Sequence, residues 1–233
     1  MKPRSKSPRR SPAAAPAAPA AAQAALPATD GRLQRGARSR ELVLDALLAL
    51  LSEGHHEPSV QAISERAGLS RRMVFHHFRD AEALHLAVVQ RQQAALRELL
   101  VEIPATLPLP TRLLRLVEQR ALLYERITAT RRAGISREYA SPPMRRALGA
   151  FRALKRAQVE SVFAPEIGSC HESVQPEIAA ALGGAASFST WEALRSHQHL
   201  GVDEAQRVLV HLLTGVLRLT PAGANLIVLR GSG

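Results

Sequence analysis

The sequence predicts an all-α protein, and three observations lead to this prediction. From Ser39 onward, apolar residues recur three and four positions apart, the spacing that places them on one face of a helix. Prolines and glycines separate most of these stretches, as expected where helices begin and end. No stretch alternates apolar and polar residues as a half-buried strand does. We therefore expect about nine helices and no sheet.

The first four predicted helices are delimited by residues with well-known capping preferences. Serine or aspartate precedes the second, third and fourth helix as an N-cap, and glycine follows the first and second as a C-cap. The capping residues are Gly54, Ser59, Gly68, Ser70 and Asp80. The fourth helix is long, and we expect Pro104 and the prolines after it to mark its end.

Four further helices are expected over residues 111–132, 142–163, 177–197 and 203–219. The last starts with Asp203-x-x-Gln206, which resembles a capping box. We expect the tail, residues 221–233, to be flexible.

The formal charge of +11 is unevenly distributed along the chain. Residues 1–40 carry +8, residues 41–80 carry −2 and residues 81–233 carry +5. Residues 1–36 are rich in Ala, Pro and Arg and have few large apolar side chains, so we expect this arm to be disordered. A basic arm beside a nearly neutral body points to a polyanion as partner.

Composition also restricts the location of the protein. The single cysteine, Cys170, cannot form an intrachain disulfide, which fits a reducing compartment, and we expect the cytoplasm. The N-terminal stretch contains several prolines and has no Leu or Val before Leu26, so we do not interpret it as a secretory signal. No stretch approaches ~18 uninterrupted apolar residues, so we expect no membrane association.

The second and third helices, which meet at residues 67–70, match a helix-turn-helix. Gly68 permits the positive φ that reverses the chain, while Leu69 and its apolar neighbours fix the angle between the helices. The third helix can then enter a DNA major groove, where Arg71 or Arg72 can contact the O6 and N7 atoms of guanine.

Residues 59–78, SVQAISERAGLSRRMVFHHF, followed by residues 80–84, resemble the DNA-binding signature of the tetracycline-repressor superfamily, the TetR-type regulators. The resemblance is close over residues 38–100. A weaker similarity to the last two helices of the family lies at residues 191–195 and 202–205. The resemblance implies a dimeric repressor that a small-molecule effector releases from a palindromic DNA operator. It implies a helix-turn-helix DNA-binding domain at residues 37–82 and an effector-binding and dimerisation domain at residues 83–220.

The resemblance also implies which residues contact DNA. It matches Ser59 to a phosphate contact and Gln61 to a base contact, and it places Phe75 where the family usually has a tyrosine. Ala81 replaces a lysine that usually binds phosphate. The predicted DNA-binding residues are Ser59, Gln61, Ser70, Arg71, Arg72, Phe75, His76, His77, Arg38 and Arg40.

A DNA-binding domain without two phosphate contacts and with a charge of −2 should bind DNA weakly by itself, because phosphate neutralisation supplies much of the affinity. We hypothesise that Arg32, Arg35, Arg38 and Arg40 follow the DNA backbone or enter the minor groove. The alternative is that the arm only solubilises the protein.

For the larger domain, the resemblance implies a four-helix dimer interface, in which we expect Phe188, Trp191 and Leu194. Alternatively, these residues close the core of the monomer. The effector is unknown, and we expect an aliphatic pocket with Tyr124, Phe151 or Trp191 at its edge.

The histidine pairs lack metal-ligand spacing, so we predict no metal and no cofactor. Two other functions compete with an effector-responsive regulator. One is an architectural DNA-binding protein that recognises no ligand. The other is an all-helical enzyme, which would need a polar cluster that the sequence does not display.

Overall fold

The computed structural model describes residues 28–222, without the side chains at positions 28–30, 32, 135 and 136. Most of the basic arm and most of the tail therefore lie outside the described residues. Within residues 28–222 the chain forms ten α-helices, one π-helical turn and no strand, which confirms the predicted fold class. The chain divides into two units, Met1–Ala37 and Arg38–Gly233.

Helix α1 (Ala28–Ser52) begins earlier than the sequence predicted. The expectation of disorder is wrong for residues 28–36, which are helical. No proline occurs between Pro27 and the apolar part of α1, and this stretch contains Leu, Gln, Arg and Ala, all good helix formers. The helix therefore extends towards the N-terminus past the residues that need a core.

Three helices complete the small domain: α2 (Val60–Ala67), α3 (Arg71–His77) and α4 (Ala81–Arg97). Their predicted caps are confirmed. The hydroxyl oxygens of Ser59 and Ser70 accept hydrogen bonds from backbone N–H groups three residues later, at 3.1 and 3.2 Å, and the Asp80 carboxylate does the same at 2.7 Å. Gly68 ends α2 with a φ of 66°, in the left-handed region that favours glycine.

The apolar faces of α1 to α4 enclose one core. Its buried side chains include Val43, Leu44, Leu47, Leu51, Ile63, Val74, Phe78, Leu84 and Val88. The turn between α2 and α3 therefore has a fixed geometry, because Ile63 and Val74 on either side of it are both anchored in this core.

The larger domain contains helices α5 to α10. They are α5 (Leu109–Ala140), α6 (Pro142–Val162), α7 (Ala164–Gly168), α8 (Gln175–Ala185), α9 (Phe188–Glu192) and α10 (Val202–Leu217). A second core joins them to the end of α4, and Trp191, Tyr124 and Phe163 are its largest aromatic members.

The helices of this domain differ from the predicted ones in several respects, and α7 was not predicted. The single helix expected over residues 177–197 is divided into α8, α9 and a π-helical turn, Ala193–His197, because Ser187 caps a new helix with a hydrogen bond from Thr190 N. Helix α5 runs eight residues beyond 132, to Ala140. The N-cap of α10 is Gly201 and not Asp203; its N–H donates to Glu204 Oε2 at 2.8 Å.

A membrane span was not expected from the sequence. Among the described residues, no helix combines the length and the apolar character that crossing a membrane requires.

Candidate nucleic-acid interface and ligand cavity

Helix α3 presents a basic face to solvent. Val74 is only 2% exposed and anchors the helix, whereas Arg71, Arg72, Phe75 and His76 are all exposed. Neither Arg71 nor Arg72 has a hydrogen-bond or ion-pair partner within residues 28–222. Two unpaired guanidinium groups therefore lie on the first turn of the helix that follows the sharp reversal at Gly68.

The other charges around this face largely neutralise one another. Arg66 pairs with Glu53, Arg79 pairs with Asp80, and Arg91 of α4 pairs with both Glu41 and Asp45 of α1. These pairs occupy most of the carboxylates that give residues 41–80 their negative charge. The unpaired arginines of α3 therefore make the local surface charge positive.

Ser59 and Ser70 are exposed at the starts of α2 and α3, with their hydroxyl oxygens engaged as caps. A capping hydroxyl still has its own O–H to donate, for example to a phosphate oxygen. Gln61 is also exposed, and its amide nitrogen donates to Glu65 Oε1 within α2. A base contact by Gln61 would require its amide to leave this carboxylate.

His77 does not share the exposed face of α3. Its ring is partly buried, and Nε2 lies 2.6 Å from Ser39 Oγ of α1. Burial and the nearby charges of His76 and Arg40 lower the pKa of His77. The geometry indicates that His77 joins α3 to α1, which differs from the DNA contact predicted for it.

Arg40 and Arg38 lie on α1 near this junction, and both are exposed. The Arg40 guanidinium lies 5.1 Å from the centre of the Phe78 ring and 3.6 Å from Glu41 Oε1. Its position is thus partly fixed by contacts within the small domain. Arg38 has no such partner among the described residues.

A cavity of about 540 Å³ lies in the larger domain, bounded by α4, α5, α6, α8 and α9. Its size is within the range of about 300–1,000 Å³ typical of small-molecule sites. Much of the wall is apolar, including Leu96, Ile127, Phe151, Val159 and Phe188. Tyr124 also lines the wall, and its hydroxyl donates to the Ala186 carbonyl oxygen at 2.6 Å.

Lys155 is the most unusual residue of this wall. It is only 8% exposed, and its Nζ lies 4.8 Å from the centre of the Tyr124 ring and 5.4 Å from that of Phe151. No hydrogen bond or ion pair of Nζ occurs in the described part of the chain. Burial, reinforced by the charges of Arg120, Arg131 and Arg152, lowers the pKa of Lys155 to about 7.

Three arginines add positive charge to the same wall: Arg131, Arg152 and Arg156. Glu138, outside the wall, pairs with Arg131 at 3.0 Å and with Arg152 at 2.5 Å. Burial opposes ionisation of Glu138, but the hydrogen bond from Arg152 and the charges of both arginines hold its pKa below the usual value. No carboxylate is among the residues that line the cavity.

Comparison with known proteins links the small domain to a family. The family model for bacterial regulatory proteins of the tetR family matches residues 43–88, from the first core residue of α1 to Val88 of α4. Residues 43–88 therefore form a domain of the tetR family. The match covers the residues that hold α2 and α3 in place, including both capped helix starts.

A relative and several solved structures extend this comparison. The HTH-type transcriptional activator FasR of Mycolicibacterium smegmatis is 35% identical over 60 residues, which are 26% of this chain and 27% of FasR. The match thus spans only about a quarter of that relative's length.

Among solved structures, a tetR-family transcriptional regulator from Streptomyces coelicolor superimposes with a TM-score of 0.57 at 22% identity, over 81% of this chain and 88% of that one. A transcriptional regulator from Rhodococcus sp. Rha1 gives 0.60 at 19% identity, over 78% and 97%. At such identities the likeness shows a shared fold.

The cavity of the larger domain contains two of the residues predicted to contact a ligand. Tyr124 and Phe151 lie on its wall, whereas Trp191 does not line it and donates from its indole nitrogen to Glu125 at 2.9 Å. The sequence prediction missed the cationic residues of the wall. Their helical spacing is the same as that of solvent-exposed arginines and lysines, and only the packing of α5 against α6 distinguishes them.

Burial corrects the predicted dimer residues. Phe188, Trp191 and Leu194 are 8%, 0% and 4% exposed and belong to the core of their own chain. They are therefore not available to a second copy, and the alternative, that they close the monomer core, fits the structure. Their apolar periodicity predicts a buried face, and in the structure that face packs within its own chain.

Proposed function

We propose that this protein is a dimeric transcriptional repressor that binds a palindromic operator and leaves it when a small molecule occupies the cavity in the larger domain. The observation that carries the proposal is the exposed face of α3, where Arg71 and Arg72 are unpaired on a helix positioned by a capped, tightly packed turn. Bidentate arginine contacts to guanine suit such a face.

Helix α4 supports the link between ligand and DNA. Its first half places Leu84 and Val88 in the core of the small domain, and its second half places Gln92, Gln93 and Leu96 on the cavity wall. A ligand that displaces the second half of α4 would therefore also displace the domain that carries α3. A rigid helix that can take two positions is the kind of element that couples two binding sites.

A second copy would use the exposed face of α10. Val208, Leu212 and Gly215 are spaced four and three residues apart; Leu212 is 42% exposed, Gly215 is exposed, and Val208 is half-buried at the edge of the core. Leu219, just after the helix, is 75% exposed and continues the same line. A twofold axis through this stripe would cover apolar surface that one chain leaves in water, and it would pair two DNA-binding domains.

DNA sequences selected from a random pool by the full-length protein test the operator part. We expect a palindromic site, bound ~10³-fold or more tightly than random DNA.

Arg71→Ala and Arg72→Ala should each weaken specific binding by roughly tenfold or more and relax the preference at one position. Arg207→Ala, an exposed arginine of α10, is the matched control. Equal affinity for selected and random DNA would instead favour the architectural alternative, which the charge of +11 makes reasonable.

The dimer is tested by light scattering after size-exclusion chromatography. Leu212→Glu should convert the dimer to a monomer, because it places a charge in the centre of the apolar stripe. Arg207→Glu adds the same carboxylate to the same helix outside the stripe and should remain dimeric. A dimeric Leu212→Glu protein would show that another surface holds the two copies together.

The sign of regulation needs a transcription assay, since FasR is named an activator. A reporter placed behind the selected operator should be less active when the protein is present. Higher activity would contradict repression while leaving DNA binding intact.

A further inference from the structure

We infer that the cavity binds an organic monocarboxylate with an apolar body, whose carboxylate pairs with Lys155. This inference rests on the proposed function in one respect only, namely that the cavity is the effector site. It adds the chemical class of the effector, which neither the family nor the relatives supply.

The first step of the argument is an unmet interaction. The Lys155 ammonium has three N–H donors, and within the described residues it contacts only the faces of two aromatic rings. A charge in a poorly solvated site is costly unless an opposite charge and hydrogen bonds accompany it. Lys155, Tyr124 and Phe151 all line the cavity, so an anion placed there can reach the ammonium.

The second step is the excess of positive charge around Lys155. Arg120 lies next to it, almost fully buried, with its guanidinium hydrogen-bonded to Gln158 Oε1 and to the Lys155 carbonyl oxygen, but not to any carboxylate in the described part. Its Nε has no partner there. Arg131 shares Glu138 with Arg152, and its Nη1 is also buried without a partner among residues 28–222. The carboxylate of Glu138 thus pairs with two arginines, while Lys155 and Arg120 have no carboxylate partner among the described residues.

The third step concerns the rest of the wall. Apart from the cations and a few neutral polar groups, aliphatic and aromatic side chains surround the cavity. Two glycines of α8, Gly183 and Gly184, also line it. A small inorganic anion would leave this apolar surface unfilled. A ligand with one anionic end and an apolar body complements both parts of the wall.

The test compares three probes with the same ten-carbon chain and different head groups, decanoate, decanol and decylamine, by isothermal titration calorimetry on the full-length protein without DNA. We expect decanoate to bind at least tenfold more tightly than decanol, and decylamine not to bind. In Lys155→Met the advantage of decanoate over decanol should disappear, whereas decanol should bind as before. Arg115→Met, which removes an exposed cation of α5 outside the cavity, is the control and should retain the preference.

Equal affinities of decanoate and decanol for the wild-type protein, or no binding of decanoate, would overturn the inference. An unchanged preference in Lys155→Met would overturn the role of Lys155. A separate measurement, release of the protein from its selected operator by decanoate, tests the proposed function. Lys155-dependent binding without release would refute effector control while leaving the carboxylate site in place, so the two failures are distinguishable.

Discussion

His85 of α4 is a histidine that the fold keeps neutral. Its side chain is 6% exposed, and burial, together with the charge of Arg137, lowers its pKa to about 4. In an unfolded chain the same imidazole binds a proton near pH 6.5. Between pH 6.5 and 4 the unfolded state therefore binds more protons than the folded state, and the free energy of unfolding falls as the pH falls.

We expect His85→Leu to remove this contribution. The stability of the variant relative to the wild type should increase by about 3 kcal/mol between pH 7 and pH 4, since a difference of one pKa unit corresponds to about 1.4 kcal/mol. Urea unfolding followed by circular dichroism at several pH values measures this difference in the free energy of unfolding. His197→Leu, which replaces an exposed histidine, serves as the control. A constant difference between His85→Leu and the wild type would show that folding does not change the pKa of His85.

Ala81 is a residue at which a DNA contact can be added. It is exposed at the first position of α4, where the sequence resemblance predicts a phosphate-binding lysine. Ala81→Lys should tighten DNA binding at low salt and steepen the dependence of log K on log salt by about 0.9 for each additional phosphate that the protein neutralises. Fluorescence anisotropy at several salt concentrations measures this. Thr106→Lys adds the same charge in the loop after α4, and an equal change there would show that only net charge matters.

At the scale of helices, a buried ion pair connects α5 and α7. Both Arg112 and Glu166 are almost fully buried, with Nη2 and Oε1 2.7 Å apart and Nη1 and Oε2 2.9 Å apart. Arg112 Nε also donates to the Leu107 carbonyl oxygen at 2.8 Å. The pair therefore joins the five-residue helix α7 to the start of α5.

Removing one partner should be worse than removing both. Glu166→Gln should lower the free energy of unfolding by about 3 kcal/mol or more, because it leaves a buried guanidinium without a counter-charge. Arg112→Met combined with Glu166→Met should cost less than Glu166→Gln alone. Denaturant titration of the three proteins provides the comparison. A double variant less stable than Glu166→Gln would mean that the pair itself supplies net stability.

The extent to which the sequence predicted these helices depends on how local the determining interactions are. Ser59, Gly68, Ser70 and Asp80 were identified because a cap or a positive φ acts on neighbouring residues. The division of the helix at Ser187 was missed although its cap is local, because the apolar periodicity of residues 177–197 continues across it. The cationic cavity was missed because its determinant is not local: Lys155 is buried only where α5 lies across α6.

At the scale of the whole molecule, positive charge occurs in separate places with separate expected partners. The face of α3 carries exposed arginines, the cavity carries buried cations, and residues 1–40 carry +8. Dissolved salt screens the attraction between exposed cations and phosphates strongly. It screens the short-range attraction between a buried cation and an anion much less. Salt should therefore weaken DNA binding strongly and ligand binding only slightly.

The arm hypothesis can now be tested in two parts, because the helix starts at Ala28 rather than near Ser39. Deleting residues 1–27 removes five basic residues and leaves α1 intact, while Arg32→Gln with Arg35→Gln changes only the helical segment. If these cations contact the DNA backbone, the slope of log K against log salt should become shallower by about 0.9 for each phosphate that the variant no longer neutralises. Anisotropy titrations on the selected operator measure the slopes.

The charge-matched control for the helical pair is Arg207→Gln with Arg218→Gln, which changes two exposed arginines of the α10 region. Slopes equal to that of the wild type in both arm variants would show that residues 1–35 make no phosphate contacts, and the α3 face would then have to bind the operator without them.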